Sequence, residues 1–260
     1  MHSALTRKLI QLSEQLKWIA AHENSTYLPP LIMPDTTLST TREPQYQSCL
    51  NIRDRKGLIG LGLRGAQVWT ENPKHLLFIL ARYKFVAKMF TSLERVLEIG
   101  CGDGTGTRLV QQEVKHVTAI DFDEIFITDL MQRSDPEWPL VLKVHDMLQG
   151  PVDGEFDGIY ALDVLEHIQP EKEELFIRNA LRSLKPDGSL IFGMPTLESQ
   201  NYASPPSKAG HVNCKSGRDF KALMEKYFRH VFLFSMNDEV LHTGFYPMSH
   251  YIFTLCCGKK

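Results

Sequence analysis

Val96-Leu97-Glu98-Ile99-Gly100-Cys101-Gly102-Asp103-Gly104-Thr105-Gly106 is an apolar, β-forming run that breaks into four glycines at alternate positions. The residues that follow, Thr107–Glu113, read as a helix. A strand that enters a glycine turn and opens a helix can cradle a ligand. Glycine accepts positive φ and lets a ligand approach the main chain closely, and the start of a helix presents N–H groups that have no partner within it. A dinucleotide fingerprint requires G-x-G-x-x-G. Counted from Gly100 or from Gly102, its third glycine falls on Thr105 or Thr107. Glu98 is a second departure, an acid two residues before the first glycine at the end of an apolar strand. A cationic ligand, an ammonium or a sulfonium, is favoured beside such a carboxylate. The competing reading is an ion pair with a neighbouring Lys or Arg.

Toward the C-terminus, strand and helix patterns alternate. Strands are read at His116–Ile120, Leu140–Val144, Phe156–Ala161 and Ser189–Met194, and helices at Glu124–Gln132, Glu171–Leu184 and Ser216–Tyr227. This order predicts an α/β protein with a Rossmann-like, doubly wound parallel sheet. Val231–Met236 and Tyr251–Cys257 have no helical pattern between them and read as a hairpin, which makes the last strand antiparallel. Met236–Phe245, between them, reads as a polar turn rather than a metal site. Ligands of such sheets collect outside the carboxyl ends of the strands. Asp121 closes the second strand, where a carboxylate can accept two hydrogen bonds from a ribose diol. Its competing role is a helix cap, for which Asp123 is better placed. Asp146 follows the third strand and suits an adenine amino group, with Met147 on the adenine face; taken alone, Asp146 would be a turn residue. The recurrence of acids at three successive strand ends favours a nucleoside-bearing ligand.

Toward the N-terminus, Asn72-Pro73 provides a cap and a first-turn proline for a buried helix ending near Phe90. From Asn24 to Trp69, prolines and glycines dissolve any pattern, and the segment reads as irregular; Trp69 reads as core, with a pocket wall as the alternative. Leu5, Leu9, Leu12, Leu16 and Ile19 mark one face of a helix. That helix docks on the main domain or, alternatively, joins two chains as a homodimer. Residues 1–72 are therefore set apart as a helical and irregular appendage that covers a pocket, and residues 73–260 as the main domain. Of 260 residues, 29 are Lys or Arg and 31 are Asp or Glu. The near-neutral balance argues against a nucleic-acid partner. Five cysteines without C-x-x-C spacing read as free thiols in a reducing cytoplasm, with no metal-ligand set. No apolar run is long enough for a leader or for membrane insertion.

With these motifs in place, the chain resembles the class I S-adenosylmethionine-dependent methyltransferases from about Leu76 to Cys257. Glu98 with Gly100, Cys101 and Gly102 matches the family's acid-plus-glycine motif, Asp121 its ribose-binding acid and Asp146 its adenine-binding acid. Phe156–His167 matches the fourth-strand motif. Leu184–Leu190 matches the "LKPGG" turn, with Asp187 in place of the first glycine. The resemblance implies a seven-stranded sheet with a reversed last strand and S-adenosyl-L-methionine as cofactor. It also implies cofactor contacts from Phe122, Met147, Leu162 and Asp163, and from Arg82 toward the methionine carboxylate. His167, after the fourth strand, and His211, in the loop after the fifth, are the candidates for substrate contact or proton removal. Each could equally be a structural histidine. Asp163-Val164-Leu165-Glu166 lacks the Pro-Pro motif of many enzymes that methylate nucleic-acid bases or protein glutamine. The acceptor expected is thus O or N of a small molecule, a sugar or a surface-polymer or secondary-metabolite precursor. The alternatives are an NAD-dependent oxidoreductase, disfavoured by the broken fingerprint, and a methyltransferase-like subunit that acts only with a protein partner.

Overall fold

The computed structural model describes residues 40–260. The helix expected over residues 5–19, and the homodimer built on it, lie outside the described residues. The chain separates after Leu58 into two compact units. In the described part of the first, a 3₁₀ turn (Pro44–Tyr46) runs into helix α1 (Gln47–Lys56). Gly57, at φ 72°, closes α1 by donating its N–H to the Arg53 carbonyl at 2.7 Å. α1 buries no residue. It therefore has no apolar stripe, and this is why a segment read as irregular contains a helix.

The second unit, Ile59–Lys260, opens with α2 (Leu63–Glu71) and α3 (Pro73–Met89). α2 is a further helix in the segment read as irregular, hidden in the sequence by Gly57, Gly60, Gly62 and Gly65. Trp69 on α2 is exposed rather than core. The alternating part then runs β1 (Arg95–Ile99), α4 (Thr107–Gln111), β2 (His116–Asp121), α5 (Glu124–Gln132), β3 (Val141–Val144), β4 (Phe156–Leu162), α6 (Glu173–Ser183) and β5 (Leu184–Pro195). After β5 come α7 (Pro205–Gly210), α8 (Gly217–Met224), β6 (Phe228–Asn237), β7 (Val240–His242) and β8 (Tyr251–Lys259).

All eight strands form one sheet in the order β3-β2-β1-β4-β5-β8-β6-β7. The first five are mutually parallel, and β8 runs antiparallel to both β5 and β6. The doubly wound class and the reversed final strand are as expected. The strand count is not. β6 runs on to Asn237, Asp238 turns the chain at φ 50°, and Val240–His242 folds back as an eighth, edge strand. Three residues are too few to show a period of two, so the sequence read this stretch as a turn.

Side chains alternate across a sheet, and the core divides accordingly. Leu97, Ile99, Ile159, Ala161, Leu190 and Phe192 face the side covered by Phe176, Ile177 and Ala180 of α6 and Phe220 of α8. Val96, Tyr160, Leu162 and Ile191 face the opposite side, covered by Tyr83, Phe85 and Val86 of α3. Burial on both faces explains the near-continuous apolar reading of these strands. β1 leads through α4 to β2 on one side, while β4 joins it on the other. The strand order therefore reverses at β1, and a crevice opens above the carboxyl ends of β1 and β4.

Candidate active site

A cavity of about 860 Å³ occupies that crevice. The glycine turn is its floor. Gly100 and Gly102 sit at φ 75° and 52°, which only glycine adopts readily. A side chain on Gly100 would bring a Cβ within 2.4 Å of Val164 Cγ2, whereas the corresponding side of Gly102 has nothing within 4 Å. The backbone there is bare toward open space, as a close-lying ligand requires.

The acids sit at the cavity's edge with defined partners. Asp121 accepts from the Gly102 N–H through Oδ2 and from the Asp123 N–H through Oδ1, both at 2.9 Å. It thereby ties the β2 end to the glycine turn. Asp123 caps α5 by accepting from the Ile125 N–H at 3.1 Å, the role expected of it rather than of Asp121. Asp146 accepts from the Leu148 N–H at 2.8 Å. Met147 is buried, its carbonyl held by Asn179 Nδ2 at 2.7 Å. Phe122 stands exposed at the rim.

The other end of the cavity is built from the β4 end. Asp163 takes a left-handed backbone, φ 57°, unusual for a residue with a Cβ. Its carboxylate receives Arg82 Nη1 at 2.7 and 3.0 Å. The Arg82 guanidinium also lies 3.9 Å from the centre of the Tyr251 ring. The charge expected to meet a ligand carboxylate is thus already matched within the protein. Two histidines follow. His167 Nδ1 lies 2.9 Å from the Gly210 carbonyl, and His211 Nδ1 lies 2.8 Å from Gln200 Oε1. Their rings meet edge to face, 5.1 Å apart. Burial, then the neighbouring His167, lowers the His211 pKa.

All the residues singled out from the sequence line this one cavity, except Glu98. Glu98 is buried behind the turn, where Thr107 Oγ1 donates to Oε2 at 2.6 Å. Burial pushes its carboxyl up to about 7, against the facing hydroxyls of Thr107, Tyr160 and Tyr83. The structure also adds residues the sequence did not single out. Glu166 is fully buried in the cavity wall, and burial followed by the Asp163 carboxylate pushes its carboxyl well up. The one available signal was its place directly before His167. Arg64, Gly65 and Val68 of α2 line the cavity as well. α2 is latched to the turn: the Gly65 N–H donates to Asp103 Oδ2 at 2.7 Å, and Thr105 Oγ1 to the Leu61 carbonyl at 2.5 Å.

Comparison with known proteins agrees with this architecture. A malonyl-[acyl-carrier protein] O-methyltransferase of Haemophilus ducreyi is 32% identical over 108 residues, 39% of this chain and 40% of that protein. An uncharacterized methyltransferase of Staphylococcus carnosus is 30% identical over 112 residues, 43% of this chain and 52% of that one. The chain thus spans about half or less of the length of these curated relatives. Among solved structures, the N-methyltransferase NodS of Bradyrhizobium japonicum with S-adenosyl-L-homocysteine superposes with a TM-score of 0.55. The match covers 83% of this chain and 99% of that one; at 20% identity it speaks for the fold. A family model described as a methyltransferase domain matches residues 70–227, more than half of the chain. The chain belongs to that family, the class I S-adenosylmethionine-dependent methyltransferases.

Proposed function

We propose that the protein transfers a methyl group from S-adenosyl-L-methionine to an oxygen or nitrogen of a small molecule. The observation that carries this reading is the single cavity. Its one end gathers the glycine turn, Asp121 and Asp146, and its other end gathers His167 and His211. When bound, the cofactor supplies an electrophilic methyl group on a sulfonium. The bare backbone at Gly102 lets it lie against the turn. Asp121 has spare lone pairs beyond its two backbone hydrogen bonds and holds the ribose diol. Asp146 takes the adenine amino group, Met147 and Phe122 flank the base, and Leu162 and Asp163 border the methionine part. Glu98 acts from behind the turn, positioning it rather than touching the ligand.

At the acceptor end, the backbone carbonyl of Gly210 can only accept, so His167 Nδ1 carries a proton, and in the neutral ring Nε2 presents a lone pair. Gln200 is oriented by its own Nε2 donating to the Thr196 carbonyl at 3.1 Å, so its Oε1 faces His211 and sets the same tautomer there. Two imidazole lone pairs suit an acceptor that arrives with a proton, a hydroxyl or an amine. A carboxylate acceptor would have no proton to give them. A sugar or a surface-polymer or secondary-metabolite precursor fits this requirement.

Isothermal titration calorimetry with S-adenosyl-L-homocysteine, with NAD as control, tests the reading. Micromolar or tighter binding of the first alone is expected. Binding of NAD, or of neither, overturns it.

A further inference from the structure

Glu166 has no part in the methyl-transfer reading above. It is fully buried, and among the described residues neither carboxylate oxygen has a hydrogen-bond partner. Arg82 on α3, whose charge acts on Glu166, has committed its Nη1 to Asp163. A buried carboxyl without a partner is costly, and an absent ion is one recognised reason for such an orphan. Glu166 does not stand alone. Glu166, His167 and His211 can each bring one ligand atom within 4.8 Å of the others.

The surroundings of these three residues suit a metal ion. Ligating histidines usually donate the second ring N–H to a carbonyl or carboxylate, which fixes the tautomer and the ring orientation. Both histidines do so, His167 to Gly210 and His211 to the anchored Gln200, and among the described residues neither Nε2 has a hydrogen-bond partner. The two segments that carry the ligands are stitched together at the same point. The Val212 and Asn213 N–H groups both donate to the Glu166 carbonyl at 2.9 Å. His211 is thereby held against the Glu166-His167 turn from across 44 residues. Ligand atoms on one small divalent cation lie about 3–3.5 Å apart, so loading needs only a modest side-chain closure. Two imidazoles and one carboxylate suit first-row divalent metals and leave coordination positions open.

We propose that Glu166, His167 and His211 bind a divalent first-row metal ion at the acceptor end of the cavity. The inference deepens the methyltransferase reading and rests on it for the role of the ion. In that role the two imidazole lone pairs hold the cation instead of taking the acceptor's proton, and the cation holds the acceptor, which makes the acceptor a hydroxyl. Its oxygen binds an open position, the O–H bond breaks with the electron pair remaining on the metal-bound oxygen, and the proton passes to water.

The test is a Co²⁺ titration of the tag-free protein, read by visible d–d absorption, for the wild type, Glu166→Gln and His211→Asn. Calorimetry with S-adenosyl-L-homocysteine is run on all three. The wild type is expected to saturate at one equivalent. Each variant is expected to bind Co²⁺ more than about 100-fold more weakly, beyond the tenfold to 100-fold typical of outer-shell changes, with S-adenosyl-L-homocysteine affinity retained. No band in the wild type, equal binding in the variants, or a thiolate charge-transfer band marking cysteine ligation overturns the metal site. If the nucleoside ligand still binds in any of those cases, the methyltransferase reading stands without it. Cobalt binding without nucleoside binding leaves the metal site standing and removes that reading.

Discussion

Replacing Glu98 by Gln should flatten the pH dependence of the protein's stability. Glu98 is buried against Tyr83, Tyr160 and Thr107, and the Asp121 carboxylate adds to the pressure on it to hold a proton. Its folded value of about 7 stands above the ordinary 4.5. A raised carboxyl pKa means that the folded state binds the proton more tightly than the unfolded chain. The stabilisation is therefore fully present below about pH 4.5 and is lost as pH rises through about 7. The difference between the two values corresponds to about 3 kcal/mol, most of which disappears between pH 5 and pH 8.5. Gln keeps the shape and can still accept from Thr107, but has nothing to ionise. Urea unfolding of wild type and Glu98→Gln at pH 5, 6, 7, 8 and 8.5 measures the effect. The wild type should lose about 2–3 kcal/mol more than the variant across this window. Parallel profiles would refute the reasoning, because they would mean that Glu98 is ionised without cost or is reached by water.

Two further outcomes follow from the glycine turn. Asp121→Ala should weaken S-adenosyl-L-homocysteine binding by about 2–4 kcal/mol, roughly 30- to 1000-fold in Kd, since it removes the ribose contacts and the anchor of the Gly102 N–H together; calorimetry on a folded variant with unchanged affinity would remove Asp121 from the site. Gly100→Ala should destabilise the fold by at least about 1–3 kcal/mol from backbone strain alone, and adding Val164→Ala should restore only the part due to the 2.4 Å clash; complete restoration in urea unfolding would show that φ carries no cost there.

Much of the cavity was legible because its signals are local. The glycine spacing, Asp121 and Asp146 each follow directly from a strand end, and the α/β alternation fixes which end of the sheet those residues share. The cap at Asp123 was readable for the same reason. What escaped depends on contacts between distant residues. Arg82 and Asp163 are 81 positions apart, and only the packed helix α3 shows that they neutralise one another. Glu98 reads as a ligand-facing charge until its alternation onto the face shared with Tyr160 shows that it points into the core. Glu166 belongs to a common dipeptide; its full burial and lack of partners emerge only once the loop carrying His211 folds over it. α1 escaped because it buries nothing.

The place of β8 in the sheet bears on how the protein is made. Residues 251–259 are inserted between β5 and β6, and Ile252, Phe253 and Cys256 are completely buried there. During synthesis, β1 to β5 can pair as each emerges. The inner edge of β5, from Leu190 to Pro195, stays open until β8 arrives, and until then β6 has only the three residues of β7 to pair with. An open, apolar strand edge is a template for wrong pairing. The nascent chain therefore passes through an interval, from the completion of β5 to the emergence of β8, in which self-association competes with closure of the sheet. A substitution that weakens β8 would lengthen that interval and lower the soluble yield more than its effect on the finished fold suggests.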